Sequence, residues 1–550
     1  MTNKVLIIGL DGATWDIIDP LISQGHLPNL SSMIDGGTRA TLDTIHIPAS
    51  NAAWTSFATG CNPDRHGIMD FTFRKKDSYD TAPYTSRDRK RDTLWEILGR
   101  KGKKVGILNV PGTYPVDKVN GFMISGFPTP EEMEDFTYPR ALLEELRKEL
   151  GRDFRFQPRI PIQEEASFLK ELYTIADFVN QATIYLMNHR EWDLLVSVFM
   201  ASDEVCHAFW RYIDPEHPQY DSGASKLHKN AIFDTYKHLD TKIGTLRKEV
   251  DSDTSLIIMS DHGFGPLYYG VSFNNWLMKE GLLALRKTPA TKMRYWFFRR
   301  GVNYYNVLRI SKRLKLMKLV DSQVSSTRSR LSDFANRFFI TNNDIDWNNT
   351  RAYCMGSMGQ IFINLKDREP QGTVEPNGEY HALVNEIKSK IQKLKDPVTK
   401  EIIFDKVYTN TEAYPQSTSE SNTPDIIFYD SDMKYQINRY FLFGSKELLS
   451  PFPVWSGTHK HNGIFLAVDG DNVFKGISIH AISICDIAPT TLHMLGMEVP
   501  EDINGHVLTN MFKKDSEPYN RKIRYERLAL APEDDLVKLT IGKLKKRGKL

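Results

Sequence analysis

Cysteine is scarce in this chain, four residues in 550, and none of the four (Cys61, Cys206, Cys354, Cys485) stands in a CxxC spacing. That argues against a disulfide framework and a thiolate zinc site, and it suits a reduced cytosol. Long apolar runs are missing as well: none approaches the roughly twenty residues of a membrane-spanning helix. The apolar VLIIGL (5–10) is too short for a signal-peptide core. A cytoplasmic protein is the expectation. Charge of one sign is also lacking, with a formal net charge of +2, so no global attraction to polyanions and no specific nucleic-acid binding are expected. Tandem repeats and low-complexity stretches are absent.

What is present is a set of short, nearly continuous apolar runs: VLIIGL (5–10), VGILNV (105–110), LLVSVFM (194–200), SLIIM (255–259), DIIFY (425–429) and GIFLAV (463–468). Runs of that length, rich in Val and Ile and separated by helical patterns, predict strands buried on both faces, hence an α/β protein with a mainly parallel sheet between helices. Residues from about 286 to 330 break the pattern. They are basic and aromatic with hardly an acidic residue, as an inserted helical cap would be; the alternatives are a solvated helical pair or a lid drawn to anionic substrate or to an anionic membrane surface. The tail KLTIGKLKKRGKL (538–550) is basic too. The expected organisation is a first core part over 1–285, a cap over 286–345, a second core part over 346–520 and a basic tail over 521–550.

Polar, reactive residues follow several of the runs at once: Asp11 after the first, Ser202 and Asp203 after the third, Ser260, Asp261 and His262 after the fourth. In open α/β sheets the crevice beyond the carboxyl ends of the strands is where ligands bind. Asp203 and His207 are four apart, which puts both on one face of a helix. With His459 these residues offer three carboxylates and three imidazoles, the donors that zinc accepts. Ser50 precedes a short helical stretch, 51–59, and reads equally as a helix cap.

The ordered set LDG, IPASNAAWTSFATGCNPDRHGI, ASDEVCH, MSDHGFG, GTHKHNG and DIAPTTLHMLG, with GTYP (112–115) and the region 359–408, resembles the type I phosphodiesterase/nucleotide pyrophosphatase branch of the alkaline phosphatase superfamily. The resemblance implies an alkaline-phosphatase-like fold and two zinc ions, manganese accepting the same donors. It implies that Asp11, Asp261 and His262 hold one metal together with the nucleophile Ser50, and that Asp203, His207 and His459 hold the other. A phosphodiester or pyrophosphate would then be cleaved through a phosphoserine, the substrate being a small anionic phosphate ester such as a nucleotide or a lipid-linked ester. A phosphomonoesterase or phosphomutase is the alternative within the superfamily, and a non-catalytic binder of anionic lipid or polymer the alternative outside enzymes.

Two imitations and one departure accompany this set. Cys61-Asn-Pro63-Asp-Arg65 matches the CxPxR core of sulfatases but follows Gly60, at the far end of the helix from Ser50. His461 stands two residues beyond His459 and reads as a surface or supporting residue. Where nucleotide pyrophosphatases place an Asn some twenty-one residues beyond the nucleophile, this chain has Phe71, with Asp70 before it.

Overall fold

The computed structural model describes residues 4–527 except 131, 152, 161–163, 304–305, 308–309, 311–337, 357, 418–422, 438–442, 453–454 and 469–472. The middle of the expected cap (311–337) and most of the expected tail (528–550) therefore lie outside the described residues. Nine strands form the main sheet: β1 Lys4–Leu10, β2 Thr38–Asp43, β3 Val105–Val110, β4 Gly121–Ser125, β5 Thr137–Tyr138, β6 Leu194–Phe199, β7 Thr254–Met259, β8 Asn462–Val468 and β9 Ile482–Ser483. Their order across the sheet is β9-β2-β8-β7-β1-β6-β3-β4-β5. The central strands β7, β1, β6, β3 and β4 run parallel.

The apolar runs are continuous because both faces of this sheet are covered. Along β1, Val5 and Ile7 join the core on one face, and Leu6, Ile8 and Leu10 the core on the other. The first face carries the helices Ser50–Thr59, Leu94–Arg100 and Ile487–Met494; the second carries Trp15–Ser23, Pro28–Gly36, Glu165–His189, Ala201–Phe209 and Lys226–Glu249.

Two of the runs depart from the parallel expectation. GIFLAV lies in the main sheet as β8 but antiparallel to both neighbours. DIIFY supplies the strand Ile426–Tyr429 of a separate four-stranded antiparallel sheet with Ala352–Cys354, Gly359–Ile363 and Lys406–Thr409. Ile427 and Tyr429 face the main core, whereas Ile426 and Phe428 face a third core shared with the helix Gly378–Ile391. A strand wedged between two cores reads as continuously apolar whatever its partners' direction, so the run alone could not assign its sheet.

The described start of the insertion is the helix Pro289–Arg299, capped by Thr288. Buried Asp344 anchors its inner face, accepting from Thr291 Oγ1 at 2.7 Å and from Arg294 Nη2 at 2.7 Å.

Gly9 on β1 is required by close approach: a Cβ there would stand 2.4 Å from the Trp54 ring and 2.8 Å from Val198. Trp54 is fully buried and cannot swing outward. Gly9→Ala should therefore destabilise the protein by about 1–3 kcal/mol through overpacking, measured as a lower denaturant midpoint; an unchanged midpoint would show that the indole can yield.

Candidate active site

The seven predicted residues converge because β7, β1 and β6 are neighbours and each delivers candidate ligands just past its carboxyl end. Asp11 follows β1, Asp261 and His262 follow β7, and Asp203 stands in the first turn of Ala201–Phe209, after β6. His207 lies one turn further along that helix. His459 comes from a distant segment, the strand Gly457–Lys460, which pairs antiparallel with Gly263–Pro266 and sets His459 opposite Phe264. All six ligand candidates and Ser50 are buried.

The turn after β1 is braced from several sides. Ser202 Oγ donates to the Asp11 carbonyl at 2.7 Å and Ser260 Oγ to the Ala13 carbonyl at 2.8 Å. Gly12 takes a positive φ of 66° and donates its N–H to Asp261 Oδ1 at 3.2 Å. Trp54 Nε1 donates to Asp11 Oδ2 at 2.8 Å. The last two bonds each occupy one carboxylate oxygen, leaving Asp11 Oδ1 at 3.5 Å and Asp261 Oδ2 at 3.3 Å from His262 Nε2. Ser202 and Ser260 were noted in the sequence only as polar residues at strand ends, and Trp54, which resembles an ordinary core residue there, was not singled out.

Hydrogen bonds also fix the three imidazoles. His207 Nδ1 donates to the Gly457 carbonyl at 2.8 Å, His262 Nδ1 to that of Gly263 at 3.0 Å, and His459 Nδ1 to that of Pro48. Because a carbonyl only accepts, each neutral ring carries its proton on Nδ1 and presents an Nε2 lone pair, the arrangement that second partners impose on metal-binding histidines. The Nε2 atoms of His207 and His459 lie 3.0 Å apart. Two lone pairs at that distance repel unless a cation or proton lies between them. The His262 and His459 rings stack at 3.7 Å.

Two groups of donors could each hold a cation: Asp203, His207 and His459, and Asp11, Asp203 and His262, the ligand atoms within each lying within 4.8 Å of one another. The first is the expected set. In the second, Asp203 takes part where Asp261 was expected, and Asp261 Oδ2 lies 3.3 Å from His262 Nε2. Among the described residues Asp261 Oδ2 is buried with no hydrogen-bond partner, and Asp203 Oδ1, also buried, faces His459 Nε2 at 3.2 Å. Buried carboxylate oxygens without donors fit metal ions and little else.

Ser50 is the first residue of its helix, with Ala49 in the capping position, and makes no capping bond. Its Oγ lies 3.3 Å from His262 Nε2 and 3.5 Å from Asp11 Oδ1. The helix-cap alternative therefore fails on geometry, and the hydroxyl belongs to the charged cluster. Cys61 is buried past the opposite end of this helix, its thiol pushed up to about 11 by burial. His461 lies outside both donor groups; it bonds the His46 carbonyl and stacks on Tyr429 at 4.2 Å.

Burial, then the charges of Asp261 and Asp203, holds Asp11 well above the usual carboxylate range. Burial pushes Asp261 up to about 7. Burial acts on Asp203 in the same direction but is outweighed by His207 and His459, which hold it low; burial opposes charge on His459 as well, and Asp203 outweighs it to raise that imidazole. Carboxylates raised in the fold stabilise it at low pH, and that contribution is lost as pH rises through their folded values; raised His459 acts in the same direction. The contribution of these groups should thus be lost between the ordinary carboxylate range and about pH 7, opposed by His262, which burial and then His459 hold well below the usual imidazole range, whereas metal binding, which needs the deprotonated donors, strengthens over that window. Thermal unfolding with and without chelator should show a metal-dependent stabilisation of about 2.7 kcal/mol at a hundredfold excess over Kd, larger at neutral than at acid pH; a stabilisation that shrinks as pH rises would contradict this balance.

The comparisons with known proteins bear on the same set. Residues 5–444 match the family model for type I phosphodiesterase / nucleotide pyrophosphatase. No curated protein sequence matches. Among solved structures, human ectonucleotide pyrophosphatase/phosphodiesterase 5 is similar at 15% identity and a TM-score of 0.51, over 92% of this chain and 99% of that one. The murine protein, in an inactive form in complex with AMP, is similar at 13% identity and a TM-score of 0.51, over 93% of this chain and 100% of that one. At such identities the structures establish the shared alkaline-phosphatase-like fold, and the family match adds that these metal-ready strand ends belong to a metal-dependent lineage: the chain is a member of the type I phosphodiesterase/nucleotide pyrophosphatase family, hydrolases acting on phosphoric ester bonds.

Proposed function

We propose that the protein cleaves a phosphodiester or pyrophosphate bond through a covalent phosphoserine at Ser50, with two zinc ions as cofactors. The observation that carries the reading is the Ser50 hydroxyl, buried at a helix N-terminus, free of capping bonds and within 3.5 Å of both Asp11 and His262. Asp11, Asp261, His262 and Ser50 would hold one ion, and Asp203, His207 and His459 the other. Zinc bound there would supply Lewis acidity, lowering the pKa of the hydroxyl and neutralising charge on phosphoryl oxygens.

In this scheme Ser50 Oγ loses its proton and attacks phosphorus in line, and the bond from phosphorus to the leaving oxygen breaks. The N-terminus of Ser50–Thr59 places positive potential where the phosphoryl group is then held. Water next attacks the phosphorus, the bond to Ser50 Oγ breaks, and the hydroxyl takes back a proton. Two inversions give net retention. A nucleotide-type ester is the favoured substrate class, supported by the family and by the AMP complex of the murine relative. We also infer a cytoplasmic setting, which the four buried free cysteines support.

Zinc-loaded protein should hydrolyse bis-p-nitrophenyl phosphate faster than p-nitrophenyl phosphate, and chelation should abolish both. Ser50→Ala should lower turnover by roughly a thousandfold or more while leaving metal content intact, as expected for loss of a nucleophile. Turnover of the monoester alone would favour a phosphomonoesterase or phosphomutase. No turnover of either ester with metal in place would favour a non-catalytic binder. Acid quenching during turnover should trap phosphate on Ser50, read by mass spectrometry; full activity without that adduct would exclude the covalent route.

A further inference from the structure

Asp344 holds one side of the helix Pro289–Arg299 against the body of the protein, and the centre of the opposite side is, among the described residues, about half exposed. Thr291 and Phe298 are buried on the inner side. On the outer side Met293 and Trp296 are 48% and 49% exposed, one turn apart. Lys292, Arg299 and Arg300 are exposed around them, and the Arg300 guanidinium sits over the Trp296 ring at 3.6 Å from its centroid. Val302 and Ile310, just beyond, are exposed too. From Arg286 to Val320 the sequence has no acidic residue.

An exposed Trp is costly to leave in water, and a Trp, a Met and a ring of Lys and Arg on one helical face is the composition that enters the boundary between lipid headgroups and acyl chains. No described helix is long and apolar enough to cross a bilayer, so a helix lying in the interface is the geometry left. Other occupants fit the charge less well. Residues 311–320 of the same chain carry Lys312, Arg313, Lys315 and Lys318, and a second copy would bring the same basic face; each would place like charge on like.

We propose that the outer face of this helix, centred on Met293 and Trp296 and rimmed by Lys292, Arg299 and Arg300, docks the protein onto an anionic lipid surface. Basic side chains supply the long-range attraction, which weakens with salt, and the apolar pair supplies the contact that anchors. The interaction is independent of the hydrolytic reading, since none of these residues belongs to the metal cluster.

The test is sedimentation of the full chain with phosphatidylcholine vesicles, pure or carrying about 30 mol % phosphatidylserine, at low and physiological salt. Binding should require the anionic lipid and fall with salt. Met293→Ser combined with Trp296→Ser should lower the partition coefficient at least about tenfold, the scale expected from losing two interfacial anchors. Lys292→Gln, Arg299→Gln and Arg300→Gln together should lower it too. Unchanged thermal midpoints and unchanged ester hydrolysis in both variants would show that the helix and the site are intact. Absence of sedimentation with anionic vesicles, equal binding to neutral ones, or full binding by the Ser variant would overturn the proposal. A chain ending at residue 527 that still binds would confirm that the helix rather than the basic tail makes the contact; loss of all binding in that chain would overturn it.

Discussion

Three buried carboxylates held close together are the constraint on which the rest of this molecule depends. Desolvating one ionised carboxylate costs several kcal/mol even after relaxation, and beyond burial the charges of Asp261 and Asp203 raise Asp11, as that of Asp203 raises Asp261. The fold relieves part of that cost by occupying one oxygen of Asp11 with the Trp54 indole and one of Asp261 with the Gly12 amide. It does not relieve the rest. Among the described residues Asp261 Oδ2 has no donor, Asp203 Oδ1 faces the Nε2 atoms of His459 and His207 at 3.2 and 3.5 Å, and the three imidazoles turn Nδ1 to backbone carbonyls. The protein is organised to leave negative charge and lone pairs uncompensated at one place, which is the electrostatic definition of a cation site.

That arrangement explains why the sheet is parallel at its centre. Three adjacent parallel strands end on the same edge, so three short loops can meet there, whereas antiparallel neighbours would send every second loop to the other edge. It also explains the helix Ser50–Thr59, all ten residues of which are buried. Its small residues let it lie close over the sheet, where Trp54 fills the space that Gly9 leaves, and its N-terminus is thereby pressed into the charged cluster.

Much of this was legible in the chain. The strand positions followed from apolar runs bounded by polar residues, and the convergence of Asp11, Asp203, Asp261 and His262 followed from their place directly after those runs. His459 had no such local signal: it is brought in by a pairing with Gly263–Pro266, nearly two hundred residues away in sequence, and only the ordered motif set selected it over His461. The dual position of Asp203 was not legible, because spacing tells which residues share a helix face and nothing about a second group approaching from another strand. Nor could Ser50 be separated from a cap, since the distinction between the capping residue and the first helical residue is one position, finer than sequence resolves. DIIFY misled for a physical reason, being enclosed by two cores.

The surroundings of Asp70 and Phe71, where the family resemblance led to the expectation of an Asn, show the same constraint. Asp70 here is a brace: Gln360 of the second sheet donates to its Oδ2 at 2.7 Å, Phe71 N–H donates to its Oδ1 at 2.7 Å, and Asn51, next to Ser50, donates to its carbonyl at 3.3 Å. Phe71 packs edge-on against Phe127. Asp70 thus links the helix Ser50–Thr59, through its main-chain carbonyl, to the smaller sheet, through its carboxylate. Beside the candidate cluster, then, a buried carboxylate, with an aromatic ring packed next to it, fastens the smaller sheet to the segment that reaches Asn51, and so holds the helix that begins at Ser50.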